Sequence, residues 1–504
     1  MSRPNFLIFC TDQLQSYCVG CHARRDVRTP NLDALAASGT SFTRTYCANP
    51  MCSPSRASLI TGLTPRQHGC LTNGTPLPEQ APTITAALAA AGYRTHSVGK
   101  LHLQPWMGYG PHRSDPNLPF SWEDQVRWDQ GEITRLPSPY YGFQSADFVG
   151  GHVDYVHGDY ANWLRRQGPD ARELLRLERA ESAVPGRNDT WRLPIPEELH
   201  YNNWIADRTI DFLSAQPADQ PFFLWCSFPD PHFPFAACPP YSRMYDPASM
   251  ALPPTWAAQD DPLEFLAQRR AGFAGADFDE PALREMLAQT YGMITHVDAQ
   301  VGRVLAALDR TGRAGSTVVA FTSDHGEYLG AHHLLYKSVW PYEELYRVPM
   351  VWRAPGGGGR LVNDPVSGLD LAPTVAELAG IPLAAFDRRG YGQSQRPVLA
   401  GRSLAACIAG GALPPDRPVL IEMDEDGLPG PMLRMRTIVR GQYKLTLYSH
   451  LEPGLLFDLG DDPGETVNRW ADPACRDVRA DLLAEMVREL ARTDRLDVPR
   501  IAGA

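Results

Sequence analysis

The sequence lacks the features of a secreted or membrane-spanning protein. Its first apolar run, Phe6-Leu7-Ile8-Phe9, is shorter than a secretory signal requires, and no small-residue cleavage site follows it. No stretch approaches the roughly 18–20 apolar residues of a membrane span. The 10 cysteines suggest no disulfide framework, and the Cys18–Cys21 pair lacks a second pair at zinc-site spacing. We therefore expect a cytoplasmic protein that does not associate with membranes.

Positive charge is also scarce. The 504-residue chain carries 47 Lys and Arg against 58 Asp and Glu, a formal net charge of −11, and no block of basic residues stands out. This balance argues against nucleic acid as a main partner. The chain has no internal repeat and no low-complexity run. With 43% hydrophobic residues, its length predicts a folded protein of about two domains.

Four short apolar runs end in polar residues that are capable of chemistry. They end at Asp12-Gln13, at Lys100 and His102, at His232, and at Asp324-His325. Such runs are typical of buried parallel strands, and helical patterns occur at 31–38, 83–91, 283–308 and 369–379. The sequence therefore predicts an α/β fold, a large mainly parallel sheet flanked by helices. Ligands bind beyond the carboxyl ends of strands in such sheets, so we expect the four groups to form one site.

Two segments differ from this pattern. Residues from about 104 to 200 are rich in Tyr, Trp, Pro and Asp, which predicts an irregular insertion over the active-site face, where specificity would reside. From about 381 onward, two paired strands (436–439 and 443–448) and a closing amphipathic helix (480–490) predict a smaller α+β domain with an antiparallel sheet. We expect a catalytic domain over 1–380 and a second domain over 381–504.

The most specific signal is the stretch Cys-Ser-Pro-Ser-Arg-Ala-Ser-Leu-Ile-Thr-Gly at residues 52–62. It resembles the signature of the type I sulfatases of the alkaline phosphatase superfamily, and the resemblance continues through Asp12, Lys100 and Asp324 over nearly the whole chain. In that family the cysteine is oxidised to formylglycine, whose hydrate is the nucleophile. Pro54 suits the first turn of a helix, so Cys52 is expected at a helix N-terminus, which favours an anion.

The resemblance implies a single divalent metal ion near the nucleophile. Its ligands would be Asp12, Gln13, the modified Cys52, Asp324 and His325. Gln13 and His325 depart from the commonest family pattern, which has Asp and Asn there; choline-sulfatase-like and phosphonate-monoester-hydrolase-like members share such variants. Family precedent favours calcium, whereas an imidazole ligand suits manganese better.

The resemblance also assigns the groups that bind and protonate the substrate. Arg56 would hold the hydrated aldehyde, Lys100 and Lys337 would bind sulfate, and His232 with Lys337 would protonate the leaving group. His102 would assist the release of sulfate. Asn73 is a weaker candidate for a substrate oxygen, a plain turn residue being the alternative, and His332-His333 has no assigned role.

The resulting hypothesis is a sulfatase that acts on a small aryl or alkyl sulfate ester. A phosphonate monoester or phosphodiester hydrolase with the same formylglycine and metal is the alternative, favoured by Gln13 and His325 and opposed by Lys100 and His102. A non-catalytic metal-binding relative would have lost a key position, and none is visibly lost. The implied partner is a formylglycine-generating maturation enzyme, and we expect a homo-oligomer.

Overall fold

The computed structural model describes residues 3–22, 26–107, 120–168, 170–382, 399–425 and 432–494. The strands found there are β1 (Asn5–Thr11), β2 (Thr40–Tyr46), β3 (Arg94–Gly99), β4 (Ser145–Gly150), β5 (His157–Gly158), β6 (Ser182–Ala183), β7 (Trp191–Arg192), β8 (Phe222–Ser227), β9 (Thr317–Ser323), β10 (Arg347–Arg353), β11 (Arg360–Val362), β12 (Val366–Ser367), β13 (Val419–Glu425), β14 (Leu433–Arg440), β15 (Tyr443–Tyr448) and β16 (Leu451–Asp458). Within these residues, the main sheet has ten strands in the order β11-β2-β10-β9-β1-β8-β3-β4-β5, and β12 also pairs with β2.

The centre of the main sheet is parallel. β1 pairs in parallel with β8 and β9, and β3 pairs in parallel with β8 and β4. β10 is antiparallel to both of its neighbours, β9 and β2. Every residue of β1, β8 and β9 is buried, because both faces of the sheet are covered, as their continuous apolar runs indicate. The predicted mainly parallel α/β sheet is confirmed.

Helices cover both faces of this sheet. They are α1 (Pro30–Ala37), α2 (Cys52–Thr61), α3 (Pro65–His68), α4 (Ile84–Ala90), α5 (Gln125–Asp129), α6 (Asp159–Arg165), α7 (Tyr201–Ser214), α8 (Glu264–Arg270), α9 (Glu280–Arg310), α10 (Glu343–Tyr346), α11 (Leu371–Leu378), α12 (Ala405–Ile408) and α13 (Arg476–Arg492). Helices α1, α7 and α9 pack with Leu7 and Phe9 of β1, whereas α2, α4 and α11 pack with Phe6 and Ile8, because successive strand side chains point to opposite faces. The four predicted helices are confirmed as α1, α4, α9 and α11.

The C-terminal strands form a separate antiparallel sheet in the order β13-β14-β15-β16. Leu482 and Met486 of α13 pack on one side of it. Other side chains of the same sheet join a buried cluster with residues of α10 and the loop before it. The predicted antiparallel sheet and closing helix are confirmed. The boundary at 380 stays a prediction, and residues 383–398 beside it lie outside the described residues.

The segment 104–200 is more regular than its composition predicts. β4 adds to the main sheet beside β3, and β5 pairs with β4 at the sheet edge. The sequence Ser-Ala-Asp-Phe-Val-Gly of β4 has only two large apolar residues, too few to give a strand signal. Residues 108–119 and 169 of this segment lie outside the described residues. In the described part of the chain, no helix has the length and apolar character needed to cross a membrane.

Candidate active site

Two neighbouring strand ends supply a pair of carboxylates. β1 and β9 are aligned so that Thr11 lies opposite Ser323, and the next residues, Asp12 and Asp324, leave the sheet at the same edge. The backbone N–H of Asp324 donates to the carbonyl of Thr11 at 3.3 Å. Both carboxylates are completely buried. They therefore require nearby positive groups at the edge where α/β sheets bind ligands.

Cys52 is the first residue of α2, as the motif predicted. The first turn of the helix is anchored, because the Asn73 amide oxygen accepts from the backbone N–H of Ser53 at 3.0 Å. The Ser55 hydroxyl donates to the carbonyl of Asp324 at 2.5 Å. The N-terminal end of a helix favours negative charge, so residue 52 lies where an anionic nucleophile is stabilised. Asn73 lies at this end of the helix, with its oxygen used as a cap.

Arg56 lies one turn further along α2 and binds both carboxylates. Its Nε donates to Asp324 Oδ2 at 2.7 Å, and its Nη2 donates to Asp12 Oδ2 at 3.4 Å. Its Nη1 donates to the Ser227 hydroxyl at 2.9 Å. Burial lowers the pKa of Arg56, but the carboxylate of Asp324 and other negative groups outweigh it, so the pKa is raised and the guanidinium stays charged. Arg56 thus fixes the two acids; its contact with a hydrated aldehyde stays a prediction.

His325 presents one ring nitrogen to the carboxylates and to Cys52. Its Nδ1 lies 2.8 Å from the carbonyl oxygen of Gly326, which places a ring proton on Nδ1 and turns Nε2 toward the other side chains. His325 Nε2 is 3.2 Å from Cys52 Sγ, 3.7 Å from Asp12 Oδ1 and 3.8 Å from Asp324 Oδ1. Because the carbonyl of Gly326 holds the proton of Nδ1, Nε2 is the ring nitrogen that a metal ion would use.

These side chains fit a divalent metal ion. Asp12, Cys52, Asp324 and His325 each offer a ligand atom, and the four atoms lie within 4.8 Å of one another. Carboxylate oxygens, an imidazole nitrogen and a sulfur atom that converge on one point are the ligand types that divalent metal ions take in proteins. The structure therefore brings together four of the five predicted metal ligands.

Gln13, the fifth predicted ligand, presents its amide oxygen to the site. Its side-chain nitrogen donates to the carboxylate of Glu327, and its Oε1 accepts from Lys337 Nζ at 3.2 Å. The backbone N–H of Gln13 also donates to Asp324 Oδ1 at 3.0 Å. Glu327 therefore sets the orientation of the amide so that oxygen, and not nitrogen, faces the cluster.

Lys337 lies at the centre of the site. Its Nζ is 2.8 Å from Cys52 Sγ, 3.2 Å from His232 Nε2 and 3.1 Å from His325 Nε2. Burial lowers the pKa of Lys337, but Cys52 and Asp12 outweigh it, so the pKa is raised. Burial and Asp12 raise the pKa of the Cys52 thiol, yet Lys337, Lys100 and His325 together lower it. The site thus stabilises negative charge on residue 52.

The other predicted catalytic residues follow β3 and β8. The ammonium of Lys100 donates to the carboxylate of Asp12. His232 follows β8 and reaches Lys337, while the buried ring of His102 lies 6.4 Å from that of Trp106. Burial and the neighbouring lysines hold the pKa of both histidines well below the usual range, so both rings are neutral. The structure therefore places the neutral imidazole of His232 beside the ammonium of Lys337, and the neutral His102 two residues after Lys100.

Sequence reasoning missed His152. This residue follows β4 and is 5% exposed; its Nε2 lies 2.9 Å from Lys100 Nζ, and its ring lies on that of His232. The sequence does carry a signal for His152: the short apolar run Phe148-Val149 is followed by a histidine, the pattern seen at the other strand ends. It lay inside a segment interpreted as irregular. Glu327, which binds the amide of Gln13, was likewise given no role from the sequence.

Two histidine groups lie outside this site. His332 is buried and stacks on Tyr342, with ring centroids 3.6 Å apart, and His333 packs on Phe278, so the His332-His333 pair contributes to packing. A second possible metal-binding group is His200, Cys238 and His296. His200 Nδ1 accepts from the backbone N–H of Asn202 at 3.2 Å, which puts the ring proton on Nε2 and makes His200 a poor ligand.

Comparison with known proteins agrees with this geometry. The family model described as sulfatase matches residues 4–381. The multifunctional alkaline phosphatase superfamily protein PehA of Trinickia caryophylli is 31% identical over 94% of this chain and 92% of its own length. The arylsulfatase of Clostridium perfringens is 30% identical over 76% of each chain. The crystal structure of the phosphonate monoester hydrolase of Agrobacterium radiobacter aligns with a TM-score of 0.80, 28% identity, and coverage of 98% of this chain and 96% of that one.

Proposed function

The chain belongs to the sulfatase family of sulfuric ester hydrolases, and we propose that it hydrolyses a small sulfate ester to an alcohol or phenol and inorganic sulfate. The observation that carries this proposal is the position of Cys52 Sγ. It lies at a helix N-terminus, 2.8 Å from the ammonium of Lys337 and 3.2 Å from His325 Nε2. A nucleophile held there meets the negatively charged ester among positive groups.

We infer that a maturation enzyme converts Cys52 to formylglycine, so that the thiol of the structure stands in for an aldehyde hydrate. One hydroxyl of the hydrate attacks the sulfur, and the S–O bond to the alcohol breaks. The second hydroxyl then loses its proton, the sulfate is expelled, and the aldehyde is restored. A serine in this position would have no second hydroxyl for that step.

The metal ion would be held by Asp12, Asp324, His325, the oxygen of Gln13 and residue 52. When bound, a divalent cation lowers the pKa of the attacking hydroxyl and stabilises charge on the ester oxygens. An imidazole among the ligands favours manganese over calcium, which prefers oxygen ligands only. This choice differs from the calcium expected from family precedent.

The remaining residues bind the transferred group and move a proton. Lys100 and Lys337 supply the positive charge for the non-bridging oxygens. The Nδ1 of His232 contacts the carbonyl oxygen of Phe233, so its Nε2 accepts from Lys337. The proton needed by the leaving oxygen is therefore stored on Lys337, next to a neutral imidazole that can relay it. A positioned acid of this kind contributes about 10²- to 10⁴-fold to the rate.

Hydrolysis of phosphonate monoesters is the second candidate function. The similarity to the phosphonate monoester hydrolase of Agrobacterium radiobacter supports it, as do Gln13 and His325. Lys100 and His102 support the sulfatase activity instead. Both reactions need a nucleophile, a cation and positive groups around a tetrahedral anionic centre, so one site can serve both.

The test compares two esters with the same leaving group, 4-nitrophenyl sulfate and the phosphonate monoester 4-nitrophenyl phenylphosphonate. The protein is produced together with a formylglycine-generating enzyme and reconstituted with metal. We expect a higher kcat/KM for the sulfate. A higher kcat/KM for the phosphonate would favour the second function, and hydrolysis of neither would contradict both. The cytoplasmic location and the homo-oligomer expected from the sequence stay predictions.

A further inference from the structure

His152 connects the two halves of the active site. Its Nε2 lies 2.9 Å from Lys100 Nζ. Its ring is stacked on the ring of His232, with centroids 3.5 Å apart and planes 9° from parallel. Trp106 contacts it edge-on at 5.9 Å. A histidine held on one side by Trp106 and on another by His232 has little rotational freedom.

The contact with Lys100 determines where that ammonium group directs its protons. A lysine ammonium has three N–H donors and no acceptor. One donor of Lys100 binds the carboxylate of Asp12, and a second binds His152 Nε2. The third is then fixed in direction and is available for an oxygen of the transferred group. Without His152, the ammonium would rotate about its bond to Asp12.

The stacking contact determines the position of the other imidazole. His232 is bound at Nδ1 by the carbonyl of Phe233 and at Nε2 by Lys337. The tilt of the ring is set by the rings that pack on it. Phe233 stacks on His232 with centroids 4.4 Å apart and planes 25° apart, whereas His152 stacks on it more closely and more nearly in parallel, at 3.5 Å and 9°. The face of His152 therefore supplies the tighter restraint, and it keeps Nε2 directed at Lys337.

We propose that His152 is a positioning residue with two separable effects: its Nε2 orients Lys100 toward the non-bridging oxygens, and its ring face holds His232 beside Lys337. This inference rests on the proposed function. The first effect acts on the charge of the transferred group. The second acts on the proton given to the leaving oxygen, so the two effects depend differently on the leaving group.

Two substitutions separate the effects. His152→Phe keeps a flat ring against His232 but removes the acceptor for Lys100. His152→Gln keeps an acceptor oxygen but removes the ring. The control is His96→Gln, which changes a histidine of matching burial (6% exposed, against 5% for His152) that stacks on Phe212 away from the site. Each variant, after conversion of Cys52 to formylglycine, is assayed on a series of substituted phenyl esters. The esters belong to the class that the wild type hydrolyses, and their phenols span a range of pKa.

We expect His152→Phe to lower kcat/KM by about 10- to 100-fold for every leaving group, the effect of losing one hydrogen bond to a charged group. We expect His152→Gln to have little effect with nitrophenol and an effect that grows to about 100-fold with basic phenols, since those need the acid most. His96→Gln should match the wild type in both respects.

Three results would overturn the inference. Variants that behave like His96→Gln would show that His152 does not act in the reaction. Equal losses for all leaving groups in both variants would show a general structural effect. A wild-type enzyme that hydrolyses neither ester class would overturn the proposed function as well. Binding of inorganic sulfate to the unmodified protein, measured by calorimetry, is independent of turnover, and we expect about a tenfold weaker affinity only in His152→Phe.

Discussion

Lys337 Nζ lies 2.8 Å from Cys52 Sγ, and this single contact links the proposed nucleophile to the proposed source of the leaving-group proton. The same ammonium reaches His232 Nε2 at 3.2 Å. The distances place one positive group between Cys52 and His232, the residues proposed to attack the ester and to relay the proton. Charge stabilisation and proton transfer therefore depend on the same side chain.

Replacing Lys337 should separate these two roles. Lys337→Met removes both, and we expect kcat to fall by about 10²- to 10⁴-fold with a raised KM. Lys337→Arg restores the positive charge but not a proton that can be donated, because a guanidinium stays protonated in proteins. Steady-state kinetics should then show KM near the wild-type value with kcat still low. Full recovery of kcat in the arginine variant would contradict the proton-donor role.

The metal site can be tested without turnover. Binding to the folded state alone raises the melting temperature, so we expect Mn²⁺ to raise the Tm of unmodified, chelator-treated protein at a lower concentration than Ca²⁺. Asp324→Asn should abolish the shift. Cys238→Ser, which alters the second group of possible ligands, should leave it unchanged. A shift that survives in Asp324→Asn and disappears in Cys238→Ser would move the metal to the other group.

The environment of Asp230 predicts that the free energy of unfolding depends on pH. Burial raises its pKa to about 7 although Tyr201 and Asn202 donate to it. Between its usual value near 3.8 and this raised pKa, the unfolded chain loses the proton while the folded protein keeps it. The free energy of unfolding should therefore fall as pH rises from about 4 to 7, by at most about 1.4 kcal/mol per pH unit from this group.

The variant Asp230→Asn removes that titration. Urea unfolding at several pH values should show its stability rising relative to the wild type between about pH 4 and 7, with no further change above. If the amide of Asn changes the free energy of unfolding by the same amount at every pH, the pH dependence of the difference between variant and wild type is unaffected. A difference independent of pH would contradict the raised pKa.

Replacing Lys444, at the junction with the C-terminal sheet, should cause a large loss of stability. It is completely buried, binds Glu343 at 2.9 Å and also binds Glu465. Lys444→Met leaves Glu343 buried without this partner, and we expect the free energy of unfolding to drop by about 3–5 kcal/mol. The control Arg488→Met breaks the pair between the exposed Arg488 and the partly buried Glu485 and should cost less than about 1 kcal/mol. Equal effects in urea titrations would contradict this ranking.

The strand-end residues show how far the sequence predicts the site. Asp12 and Asp324 follow apolar runs that are buried on both faces, and such runs identify parallel strands whose ends meet. The helix start at Cys52 followed from Pro54 and the motif. These features depend on local composition and on general rules of sheet topology, so the fold class and the meeting of the carboxylates could be predicted.

His152 and Glu327 could not be assigned roles in the same way. His152 follows a strand with little apolar character, and its contacts join residues far apart in the sequence, which no local pattern encodes. One signal was overlooked: the chain has three lysines among 47 Lys and Arg, and two of them lie in this site. Where arginine supplies nearly every other cation, a lysine marks a place that needs a compact group with a transferable proton.

The most direct test of the account is the mass of the peptide that contains residue 52, measured on active protein produced with a formylglycine-generating enzyme. We predict the mass of an aldehyde at residue 52, loss of turnover in Cys52→Ala with an unchanged melting profile in the absence of metal, and normal turnover in Cys70→Ala, a cysteine that is equally buried. An unmodified thiol at Cys52 in a preparation with full sulfatase activity, or full activity in Cys52→Ala, would contradict it.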